Sequence, residues 1–201
     1  MEIPPPSVPE RRLTDWRQTD QRVESPFSTP MVSVYTHTLV FEESAQRARI
    51  HDRTGVDHPW QFFFTSRIHL DPQHPPNPVL TSLIRNQVDR AFADRLVDRG
   101  LDEISKGESH TVSLGSVRGR RTRYAARLTV DVAGDDDSLD VPIEAYVTVW
   151  IDDGYRLAGG AYPAGRGDGG PPELADSLAE TIEPTAAREE LFALIGGCCE
   201  S

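Results

Sequence analysis

The residues best placed to do chemistry sit late in the chain. Arg121, Arg123 and Arg127 occupy alternate positions of one apolar–polar repeat, and Glu144, Tyr146, Thr148 and Trp150 occupy alternate positions of another. If the two segments pair antiparallel, both sets share one face of a sheet. Guanidinium groups beside flat aromatic rings can hold an anion, a partner's acidic strand or a stacked base. Arg121, Arg123, Arg127, Tyr146 and Trp150 are therefore the candidate binding residues. The plainer alternative is that Glu144 pairs an arginine while C-terminal helices cover Tyr146 and Trp150, because helices often cover both faces of such a sheet.

No other constellation competes. The sequence has no phosphate-binding glycine loop, nucleophile elbow, zinc-protease helix or CxxC pair, so no catalytic residue is assigned and the reading leans away from an enzyme. A metal needs three or four converging ligands. The six histidines (His37, His51, His58, His69, His74 and His110) do not have such spacing, so neither a metal nor a cofactor is expected. Cys198 and Cys199 are adjacent and near the end of the chain. They could act as a thiol pair for redox chemistry or a soft metal, or be incidental thiols on a frayed tail.

Charge narrows the partners. The chain of 201 residues carries a net charge of −11, which argues against general binding to nucleic acid or an anionic membrane. Another protein is the more natural partner for the arginine–aromatic face, and the sequence leaves the oligomeric state open. No apolar run is long enough to span a bilayer. The start, Met1 to Glu10, lacks the basic and apolar run of an export signal, so a cytoplasmic location is expected.

The elements that must position these residues are organised around Asn77 to Gly100. Asn77 suits an N-cap and Pro78 the first helical turn. Leu80, Leu83, Ile84, Val88, Ala91, Phe92 and Leu96 form one helical face, and Gly100 ends it. Strands are expected at 13–23, 31–42, 60–70, 101–105, 111–117, 120–132, 141–151 and 155–162. In the third of these, Trp60, Phe62, Phe64, Ile68 and Leu70 should face the core. Residues 44–54, 173–182 and 186–195 read as shorter helices. An acidic turn is expected at 134–138, and Asp153-Gly154 signals a hairpin.

Strands joined by short turns imply a mainly antiparallel sheet, so the fold class is α+β: a twisted sheet, the long helix packed across one face, and short C-terminal helices. Residues 1–12 read as a disordered Pro-rich tail, 13–195 as a single domain, and 196–201 as a flexible tail carrying the cysteines. The layout is reminiscent of the Mog1/PsbP-like α/β/α sandwiches, at the level of fold alone. Twenty arginines against the single Lys106, acidic runs such as Asp135-Asp136-Asp137, and the segments Ser28–Tyr35 and Trp60–Phe64 resemble conserved uncharacterised proteins of haloarchaea. That resemblance implies a salt-adapted archaeal cytoplasm and carries no known activity.

Two functional readings follow. The first is a non-catalytic interaction or accessory module using the arginine–aromatic face. The second is a small-ligand-binding protein or unrecognised enzyme with a pocket between the long helix and the sheet. Tyr35 or His37, and Arg67 or His69, would supply the polar lining of that pocket.

Overall fold

The computed structural model describes residues 3–28, 32–131 and 138–199. Eight strands form one antiparallel sheet: β1 (Trp16–Ser28), β2 (Ser33–Glu43), β3 (Phe62–Asp71), β4 (Leu101–Leu114), β5 (Val117–Asp131), β6 (Ser138–Ile151), β7 (Tyr155–Pro163) and β8 (Asp168–Gly169). The spatial order is β1-β2-β3-β7-β6-β5-β4, and the short β8 pairs with β6. The helices are α1 (Ser44–Thr54), α2 (Pro78–Asp98), α3 (Pro172–Thr181) and α4 (Pro184–Gly197). This is the expected α+β architecture. The two strand segments expected at 101–105 and 111–117 are one strand, β4, interrupted by register shifts between Asp102 and Ser105 and between Lys106 and Ser109. Such bulges twist and blunt an edge strand. The acidic turn at 134–138 falls almost wholly outside the described residues.

α2 forms for the reasons its sequence states. The Asn77 side chain accepts a hydrogen bond from the Leu80 N–H at 3.0 Å, and Gly100 takes a left-handed φ of 80° beyond the helix end. Ile84, Phe92 and Leu96 are buried. Each contributes about 1.5–3 kcal/mol by leaving water. Phe92 meets Tyr124 of β5 edge-on at 5.2 Å, and the Tyr124 hydroxyl donates to Asp89 at 3.0 Å. Lys106 of β4 closes on the same carboxylate at 2.5 Å. These contacts pull α2 toward the β5–β4 half of the sheet.

The sheet is covered on both faces. One face packs Phe62, Ile68, Tyr124, Val147 and Leu157 against α2, with Ile50 of α1 and Leu178 of α3. The other packs Leu39, Phe41, Phe63, Tyr146 and Trp150 against Leu191, Leu194 and Ile195 of α4. Phe63, expected on the wetter face of its strand, is therefore fully buried. Residues placed in the expected tails also lie on this second face. Ile3 is buried with its carbonyl 2.7 Å from Nδ1 of His37, Val8 packs against the second core, and Cys198 is buried at the end of α4.

Candidate functional site

Because α2 is drawn toward β5, the opposite flank of the sheet is not filled. A cavity of about 210 Å³ lies between α2 and the β1-β2-β3 trough. Val34 and Val40 of β2, and Phe62, Phe64 and Ile68 of β3, form its floor. Leu80, Ile84, Val88 and Phe92 of α2 form its roof. Leu83, Gln87, Ala91 and Arg95 also line it, and their four-residue spacing places them on the helix flank facing β1. Leu83 and Ala91 are exposed, so the cavity opens along this flank. Arg95 bridges the opening to Glu24 of β1 at 2.6 Å.

A polar line crosses the apolar floor. Ser66 of β3 pairs in register with Thr38 of β2, which pairs with Arg22 of β1. The Ser66 and Thr38 hydroxyls are 2.7 Å apart. A mostly apolar chamber with a few fixed polar groups is the usual composition of a small-molecule site: the apolar walls supply affinity and the polar groups set orientation. Arg22, Arg95 and Arg99 outnumber Glu24 among the lining residues, a local excess of positive charge on an acidic protein.

The polar residues expected in this pocket lie elsewhere. Tyr35, His37, Arg67 and His69 are one position out of phase with the lining residues Val34, Thr36, Ser66 and Ile68, so they project from the opposite sheet face. His37 is buried there between Gln21 and the Ile3 carbonyl. The hydroxyls of Thr36, Thr38 and Ser66 take the places the larger groups were expected to fill. A visible signal was available: Ser66 interrupts the apolar set Phe62, Phe64 and Ile68.

The arginine–aromatic face is brought together by antiparallel pairing of β5 and β6. Arg121 pairs with Thr148, Arg123 with Tyr146, and Gly119 with Trp150. α4 lies across it. Trp150 is 2% exposed and Tyr146 is 8% exposed, with Phe192 edge-on to Tyr146 at 4.9 Å. Arg121 lies over the Phe192 ring. Arg123 pairs with Glu144, and Arg127 with Asp102, Glu103 and Asp140. Burial alone would raise the pKa of Glu144, but hydrogen bonds from Tyr162, Arg123 and Tyr146 outweigh it and hold the carboxyl below its ordinary value. This arrangement makes a clamp between sheet and helix, with the two aromatic candidates inside it.

Among the described residues no group of three or more His, Cys, Asp or Glu side chains is placed to hold a metal ion. Among the same residues no helix is long and apolar enough to cross a membrane. One family model, that of a domain of unknown function, matches residues 5–198. No curated protein and no solved structure matches the chain.

Proposed function

The chain belongs to the DUF6517 family, a domain of unknown function, and we propose that it binds a small apolar molecule between α2 and the sheet. The observation that carries this reading is the cavity of about 210 Å³, apolar in its walls and provided with the Thr38–Ser66 hydroxyl pair. An engineered cavity of about 150 Å³ stays dry and takes up benzene; by the same ratio this one suits a body of about eight carbons. The acidic, arginine-rich composition supports a salt-adapted, haloarchaeal cytoplasm as its setting. An accessory role toward another protein would draw on Arg121, Arg123 and Arg127. It has less support, because each of these guanidinium groups already meets a partner within the chain.

Titration with 1-octanol, followed by methyl NMR, tests the reading. Saturable one-to-one binding is expected, with shifts at Val34, Leu80 and Ile84. Ala91→Trp, on the exposed flank of α2, would fill the chamber and abolish binding while leaving the fold intact. Absence of saturable binding to the wild-type protein would overturn the reading.

A further inference from the structure

A second, smaller cavity of about 100 Å³ adjoins the first, and Phe62 and Arg99 line both. Its other walls include His58, Trp60, Leu101 and Leu128, and no carboxylate among the described residues lines it. The polar side chains here are therefore donors, apart from the imidazole. The Trp60 indole N–H has no hydrogen-bond partner among the described residues, and Trp60 is 3% exposed. An indole N–H can only donate, so burial without an acceptor leaves it uncompensated.

Arg99 is the hinge between the chambers. Its guanidinium stacks over the Phe62 ring, 4.1 Å from the centroid, which holds the group at the junction. Its contact with Glu42 is long, at 3.5 Å, and Glu42 is shared with Arg47 at 3.6 Å. Burial depresses the Arg99 pKa, with Glu42 only partly offsetting it, so the cation here is less well solvated than it would be in water. A guanidinium is a planar fork that matches a carboxylate with two parallel hydrogen bonds.

We propose that the ligand is a carboxylate-headed amphiphile, its tail under α2 and its head between Arg99 and the Trp60 N–H. The inference rests on the apolar-cavity reading above and adds to it the chemistry of the head. The larger chamber takes the hydrocarbon, and the smaller one supplies a cation and a neutral donor, with Glu42, the acid that reaches Arg99 at 3.5 Å, lying outside the lining. Stacking on Phe62 fixes the guanidinium in advance, so little side-chain freedom is lost when the head arrives. The imidazole of His58 lies edge-on to Trp60 at 5.5 Å. Burial lowers its pKa, which favours the neutral imidazole.

The test compares octanoate, 1-octanol and acetate by isothermal titration calorimetry against the wild-type protein, Trp60→Phe and Arg99→Gln. Octanoate is expected to bind at least tenfold more tightly than octanol, and acetate alone to give no measurable binding. Each substitution should bring octanoate to within about threefold of octanol, and Trp60→Phe, which lies outside the larger cavity, should leave octanol unchanged. Equal affinity for octanoate and octanol would overturn the head assignment while leaving the apolar cavity intact. So would acetate binding as tightly as octanoate, or variants that weaken both eight-carbon probes equally. Failure of both eight-carbon probes would overturn the cavity reading itself. Thermal melts establish that each variant is folded. Trp60→Phe keeps the ring contacts and removes the N–H, so it decides the question if Arg99→Gln does not fold.

Discussion

The guanidinium of Arg121 lies 3.8 Å from the centroid of the Phe192 ring, joining β5 to α4. The same ring stands edge-on to Tyr146. A cation on a ring face contributes about 0.5–2 kcal/mol, more as water is excluded. Reversing the charge at Arg121 replaces attraction with repulsion between a carboxylate and the ring face. Arg121→Glu should therefore lower unfolding stability in urea by about 1–2 kcal/mol. Arg118→Glu, at an exposed position of the same strand, should stay within about 0.5 kcal/mol of wild type. Equal effects of the two would show that Arg121 does not hold α4 to the sheet.

Glu144 gives a pH signature on that same face. The Tyr162 hydroxyl donates to its carboxylate at 2.6 Å, and Tyr162 is buried. Because the folded-state pKa of Glu144 is lowered, its contribution is fully present above the unfolded carboxyl pKa and disappears as pH falls through the folded value. Tyr162→Phe should cost about 1.5–3 kcal/mol at pH 7, the range for a hydrogen bond to a charged group. The deficit should shrink on acidification below the ordinary carboxyl range. A deficit that does not change between pH 7 and pH 3 would assign the loss to packing.

Glu43 has the opposite sign. It is buried at the start of α1, where its side chain accepts the Gln46 backbone N–H. Desolvation raises its pKa, outweighing that hydrogen bond and Arg49, with Glu190 and Asp15 pushing it further. The folded state then binds a proton that the unfolded state has released, so stability falls as pH rises from the ordinary carboxyl value through the raised one. Glu43→Gln keeps an oxygen to accept from Gln46 and never ionises. Denaturant melts should show the variant equal to or more stable than wild type at pH 7–8, with its advantage declining toward pH 4.

Two glycines at the centre of β7 serve opposite faces. A Cβ on Gly160 would collide with the Phe62 carbonyl oxygen and sit 2.8 Å from Leu191 Cδ1 of α4. A Cβ on Gly159 would collide with the Tyr146 carbonyl oxygen and sit 2.9 Å from the Phe64 ring. Alanine at either position should cost about 1–3 kcal/mol through overpacking. Only Gly159→Ala presses on Phe64, which lines the larger cavity. It should also weaken 1-octanol binding, and more than Gly160→Ala, which reaches the cavity only through the Phe62 backbone.

The cysteines differ in accessibility. Cys198 is 4% exposed, its thiol donates to the Leu194 carbonyl at 3.4 Å, and burial pushes its pKa up to about 12. The reactive species is the thiolate. Mass spectrometry after iodoacetamide treatment at pH 8 should find Cys198 unmodified in the folded protein and modified in 6 M guanidinium. Rapid modification of the folded protein would contradict the burial of the end of α4.

Local spacing and residue type specify most of the elements and their class. Asn77, Pro78 and Gly100 bound a helix whatever surrounds it, and period-two alternation in Val141–Ile151 demands a strand. The same spacing also placed Arg121, Arg123, Tyr146 and Trp150 on one face, because pleat and antiparallel pairing follow from the backbone alone. Which face meets water could not be read in the same way. Parity identifies the core face only when the other face is wet, whereas Phe62 and Phe63 are both buried, beneath α2 on one side and α4 on the other. The tertiary structure alone decided the cavity. Its existence depends on α2 leaning toward Tyr124 and Lys106 and away from β1, a displacement set by summed packing and absent from any local spacing. The meeting of Arg99 with Trp60 is likewise tertiary: one closes a helix, the other precedes a strand, and only the packed fold brings both to the smaller cavity.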